Sequence, residues 1–147
     1  MSISRSLSSV ASIAVLALAV SACSAATEEP APDPPAVVEE IPGSEVKSVA
    51  LRADAAEAIG LKTAAVAKAA AAGRMTIPYA AVVYYLDGTT WTYTKTGDLT
   101  FQRAPIKVAG IDGDVATLTA GPAVGTPVVV VGAPEVLGAE LEIDGEQ

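Results

Sequence analysis

From Arg74 onward, apolar residues tend to recur at every second position between turn residues, the period of a half-buried strand. The stretch 75–77 is short and ends at Pro78, which suits a strand edge because proline donates no ladder hydrogen bond. AVVYYL (81–86) and TTWTYT (89–94) flank Asp87-Gly88, a hairpin signal, since both turn residues tolerate positive φ. A symmetric loop there sets Tyr84 opposite Trp91 and Val82 opposite Tyr93 on one face, with Tyr85 opposite Thr90 on the other. Residues 95–98 make the next turn, and LTFQRAPIKV (99–108), broken by Pro105, makes the next strand. Residues 111–114 turn into VATLT (115–119), and GPAVGT (121–126) turns into the wholly apolar 127–131, read as a strand buried on both faces. Pro134 to Gly138 begins one helical turn, followed by acidic LEIDGEQ.

Before Arg74 the pattern is mixed. Val49 and Leu51 alternate with polar neighbours, a short strand. In the helical turn that follows, Asp54 is placed to cap free amides, Glu57 sits at the reciprocal capping-box position, and Gly60 supplies a left-handed stop. Residues 61–67 read as a second strand. AKAAAAG (67–73) is ambiguous, because alanine favours helix but so short a run makes a marginal one. The expected fold is a mainly β domain over 47–143 with one short helix. Strands from before and after position 70 should pair in a small antiparallel sheet or open barrel, leaving 144–147 as a tail.

The segment 23–46 differs in composition. Between Ser24 and Val46 it holds five of the ten prolines and six of the seventeen acids, with no basic or aromatic residue. Such a segment buries too little apolar surface to offset its ordering entropy, which predicts a disordered, extended spacer. Ahead of it, Arg5 and an apolar run from Val10 to Val20 form a signal-peptide pattern over 1–22, too short to span about 30 Å of hydrocarbon. Val20-Ser21-Ala22-Cys23 matches the bacterial lipobox, in which the cysteine thiol receives a diacylglyceryl group and becomes the mature N-terminus. Cys23 is therefore the expected lipidation site, holding the chain to membrane lipid on the extracytoplasmic face of the cell membrane. An ordinary secretory signal with a chance cysteine is the alternative.

Charge and composition narrow the function classes. A net charge of −8 argues against nucleic acid, whose binding needs a basic face. The chain has no histidine, and its one cysteine is the lipobox residue. Disulfides, cysteine nucleophiles, histidine acid–base chemistry and most N/S metal sites are removed together. No catalytic, cofactor-binding or metal-binding residue is assigned, and a non-catalytic role is expected.

Candidate contact residues are few. Trp91, Tyr84 and Tyr93 form either a ligand-stacking patch or, more simply, the core face of a hairpin, and Tyr85 on the other face is the better exposed contact. Asp112-Gly113-Asp114 lacks the repeated oxygen ligands of a calcium loop and reads as a turn. Met75 alone makes no thioether copper site and is assigned to packing. Arg74, Arg103 and Lys107 read as a solvated face.

Two stretches together carry a resemblance. ALRADAAEAIGLKTAAV (50–66) resembles the segment preceding the barrel in periplasmic adaptor subunits (membrane fusion proteins) of resistance–nodulation–division efflux systems. IPYAAVVYYLDGTTWTYT (77–94), LTFQRAPIKV (99–108) and DGDVATLTAGPAVGTPVVVVGAPEVLGAE (112–140) are similar to the same adaptors' C-terminal, membrane-proximal region, in the same order. Complete adaptors insert a β-barrel, a lipoyl-like domain and a long α-hairpin between the two, where this chain has only AKAAAAGR (67–74). The resemblance implies an isolated membrane-proximal module, acting as a lipid-anchored docking or accessory subunit beside an inner-membrane efflux transporter. A surface lipoprotein binding a small ligand or cell-wall component is the alternative, for which a deep pocket would speak.

Overall fold

The computed structural model describes residues 33–142, and Cys23 with the signal-peptide pattern lies outside them. The domain is mainly β, as its period-two patterning predicts. In chain order its strands are β1 (Ala36–Glu40), β2 (Lys47–Leu51), β3 (Lys62–Ala65), β4 (Ala67–Lys68), β5 (Met75–Pro78) and β6 (Val83–Tyr84). They continue with β7 (Thr90–Gly97), β8 (Thr100–Pro105), β9 (Lys107–Asp112), β10 (Val115–Ala120) and β11 (Pro127–Val131). Two helices, α1 (Ala53–Ala58) and α2 (Ala133–Glu142), and a 3-10 turn over Tyr79–Ala81 complete the fold.

The strands form two antiparallel sheets. The larger runs β1-β2-β8-β7-β11-β3, with β6 also on β7, and the smaller runs β4-β5-β10-β9. The segments before and after residue 70 do pair, β3 with β11 and β4 with β5. The ambiguous run 67–73 is not helical. It supplies β4 and the tight turn into β5, closed by the Ala69 N–H donating to the Arg74 carbonyl at 3.1 Å.

β11 joins two cores. Successive side chains on a strand point to opposite faces, and here Val128 and Val129 enter different clusters. Val129 packs with Val49, Phe101, Tyr93 and Val136 under α2, whereas Val128 packs with Val66, Ile77, Ile106 and Leu118 against the smaller sheet. The expected doubly buried strand is thus present, because a layer covers each of its faces.

The elements and their register depart from expectation in four places. The spacer does not reach residue 46: Ala36 and Val38 pair with Leu51 and Val49, so the alternate apolar positions of AVVEE make an edge strand with its acids outward. Asp54 does not cap α1, which starts one residue before it with Arg52 at the cap position; its carboxylate instead takes two bonds of 3.1 Å from the Arg52 guanidinium. The stop is as expected: Gly60 at φ +62° lets its own N–H and that of Leu61 satisfy the carbonyls of Glu57 and Ala56.

The third correction is register. The hairpin loop holds three residues, Leu86-Asp87-Gly88, closed by the Tyr85 N–H to the Thr89 carbonyl at 2.9 Å, with Gly88 at φ +82°. Val83 therefore faces Trp91 and Tyr84 faces Thr90, a slip of one residue that turns Tyr84 outward, 55 % exposed. The fourth is the C-terminal helix, ten residues long instead of a single turn.

Gly132 links β11 to α2 at φ +93°, and a Cβ built there would meet the Cδ1 atoms of Ile59 and Leu61 at 3.0 Å. Gly132→Ala combines backbone strain with overpacking and should destabilise the domain by about 1–3 kcal/mol in chemical denaturation.

Candidate functional site

Alternation along β7 places Trp91 and Tyr93 on the face covered by α2, and Thr92 on the other. The β7–β8 register sets Arg103 directly opposite Tyr93 and Pro105 opposite Trp91. Directly opposed residues share a face, so the Arg103 side chain lies beneath α2. Contrary to the expectation from the sequence, Arg103 is therefore not part of a solvated face: its side chain is 8 % exposed, and its partner Glu140 on α2 is 2 % exposed.

The Glu140 carboxylate is held at both oxygens. Arg103 Nε donates to Oε1 at 2.8 Å and the Tyr93 hydroxyl donates to Oε2 at 2.5 Å. Two aromatic rings accompany the cation: the guanidinium carbon lies 4.4 Å from the Tyr85 centroid and 4.8 Å from that of Trp91. Desolvation makes both the ion pair and the cation–π contacts stronger than at a surface. Tyr85, expected to be an exposed contact, is half-buried against Arg103. Burial, and next the bond to Glu140, drive the Tyr93 phenol well above the ordinary tyrosine range.

A second chain of bonds orients Trp91. Its indole Nε1 donates to Thr89 Oγ1 at 2.6 Å, and that hydroxyl donates to Asp87 Oδ1 at 2.6 Å. The bonds from the Thr89 hydroxyl and N–H hold the Asp87 carboxyl below the usual carboxylate range. Beside this relay a groove of about 540 Å³ opens between the hairpin tip and β9, lined by Trp91, Pro105, Ile106, Lys107 and Val108 among others. Trp91 therefore belongs to two sites at once, the buried clamp and the groove wall.

The remaining candidates fall elsewhere. Tyr84 shares a hydrogen bond with Tyr79, which raises its pKa, and both are exposed, as is Leu86 in the hairpin loop at 91 %. Asp112-Gly113-Asp114 is the β9–β10 turn, with Gly113 at φ +56°. Among the described residues no cluster of three or more His, Cys, Asp or Glu side chains is arranged to hold a metal ion. Met75 is half-buried against the second core, and Arg74 is exposed. Sequence reasoning missed Glu140: its spacing of four from Val136 puts it on the inner face of a helix, but no local signal names its cation. No family model matches the chain, and no curated protein or solved structure is significantly similar to it.

Glu140→Gln leaves the Arg103 charge buried without its anion and should cost about 3–5 kcal/mol in denaturant unfolding. Replacing both partners by Arg103→Met and Glu140→Leu should restore most of that loss, since the desolvation penalty disappears with the pair.

The alkaline limb supplies a separate check. Tyr93 has its pKa raised by folding, so its contribution is fully present below the unfolded value of about 10 and is lost as pH rises beyond it. Stability should fall above that pH, and Tyr93→Phe should flatten this part of the stability–pH curve.

Proposed function

We propose that this chain is a lipid-anchored, non-catalytic docking module of an efflux-type transmembrane transport system. The observation that carries the reading is the way its two adaptor-like segments meet. β3 from the first lies against β11 from the second, and the short run between the segments supplies β4, which turns back over residues 69–74 to pair with β5. A tight turn thus stands where adaptors of the resembled family insert their hairpin and lipoyl segments. The product is a short module whose chemistry is contact. Tyr79, Tyr84 and Leu86 supply exposed apolar surface of the kind that partner proteins cover.

Acylation at Cys23 would supply the rest of the mechanism. A domain tethered by a short linker searches a thin layer above the bilayer, and its effective concentration toward a membrane partner reaches the millimolar range. A weak contact is then occupied without a large interface. No helix among the described residues is long and apolar enough to cross a membrane, so in this reading the lipid is the anchor. The groove beside Trp91 favours a second reading, an envelope lipoprotein that binds a small ligand.

The test has two arms. Wild-type cells fed a fatty-acid probe should label the chain, and Cys23→Ser should abolish that label and release the chain from membranes. A photo-crosslinker at Tyr84 in native membranes should capture an integral efflux-class transporter, identified by mass spectrometry. Equal labelling of the two chains overturns the anchor. Capture of peptidoglycan alone, with no transporter, overturns docking in favour of ligand binding.

A further inference from the structure

We infer that the groove between the β6–β7 hairpin tip and β9 is a binding site for a small amphipathic organic anion, with its apolar body on Trp91, Pro105, Ile106 and Val108 and its acid group at Lys107. The inference is independent of docking on a transporter and of lipid attachment.

At about 540 Å³ the groove falls within the range of small-molecule sites, and it lies where the two sheets meet. Its hydroxyl and indole donors are already engaged within the chain. The indole N–H is used by Thr89, the Thr89 hydroxyl by Asp87, and the Thr90 hydroxyl donates to the Ile106 carbonyl at 2.9 Å. A sugar or other polyhydroxy ligand would therefore be desolvated against side-chain donors that are already engaged, which is costly. What these walls offer instead is ring face, proline and branched aliphatic surface.

One lining group departs from that description. Lys107 is the only charged residue lining the groove, and no ion pair holds it among the described residues. Asp87, the carboxylate in the hairpin loop, is not among the lining residues, and its Oδ1 accepts from the Thr89 hydroxyl and N–H. An ammonium at the edge of an apolar concavity selects a ligand with one acid group on an apolar body. A neutral analogue forgoes the charge contact, and a cationic one is repelled.

The wall is also preorganised. Arg103 lies over the Trp91 ring and the Thr89–Asp87 relay holds its N–H, so little ordering remains to be done on binding. Trp91 is the chain's only tryptophan, which makes its emission a direct reporter of the groove.

The full chain, produced without lipid by Cys23→Ser, should be titrated with octanoate, 1-octanol and octylamine below their micellar concentrations while Trp91 emission is recorded. Octanoate should give a saturable change and bind at least about tenfold more tightly than either analogue. Lys107→Glu should weaken octanoate about tenfold or more and leave octanol unchanged, whereas Lys107→Arg should retain the preference. Lys107 is exposed, so circular dichroism should report an intact fold in both variants. Equal binding of the alcohol and the acid, an unaltered octanoate affinity in Lys107→Glu, or a response that does not saturate would each overturn the assignment.

Discussion

A carboxylate and a guanidinium lie side by side beneath α2, and the geometry around them constrains much of the domain. Removing two charges from water costs several kcal/mol per ion, and their attraction offsets this only where the remaining hydrogen-bonding capacity is also met. Here both Glu140 oxygens are bonded and two aromatic rings accompany Arg103. These contacts tie three separate pieces of sequence to one point: the β7–β8 hairpin, the strand entering the Asp87 turn, and the last turns of α2. A helix docked only through Val136 and Leu137 could slide along an apolar sheet with little penalty. Glu140 gives it one register, because any shift strands a buried charge.

The same economy governs the junction of the sheets. β11 has adjacent valines in different cores, so a one-residue slip would exchange Val128 and Val129 and disturb both clusters together. On the neighbouring strand, Thr92 is fully buried with its hydroxyl unpartnered. An unpaired buried hydroxyl typically costs about 1–3 kcal/mol. The cost is tolerated where β7 is held by β8 on one edge and by β6 and β11 on the other.

Features of the fold that reside in a few neighbouring residues were legible in the sequence. Asp87-Gly88 marks a hairpin, Gly60 a helix stop, and the apolar run 127–131 a strand covered on both faces. What depended on one residue more or less in a loop was not. A two-residue and a three-residue turn at Asp87-Gly88 differ little in local propensity, yet they choose opposite faces for Tyr84, and the core selects between them by burying Val83. β1 was hidden because proline and glutamate dominate its surroundings, while its apolar residues Ala36 and Val38 become strand-forming only against β2. Glu140 was hidden for a related reason. An acidic residue near a chain end reads as solvated until the register of two strands puts Arg103 beneath it, 37 positions away.

An acidic protein can still carry a groove whose only charged lining residue is a cation. The net charge of −8 describes the far field, which repels anions only weakly at physiological ionic strength, where screening acts over about 8 Å. Within that length the local arrangement decides. Asp87, the acid at the hairpin tip, has Oδ1 turned into its own loop by Thr89, while Arg103 is neutralised by Glu140 behind Trp91. Lys107 is thus left as the only charge lining the groove. The clamp that packs against Trp91 is therefore also what cancels the Arg103 charge behind the groove.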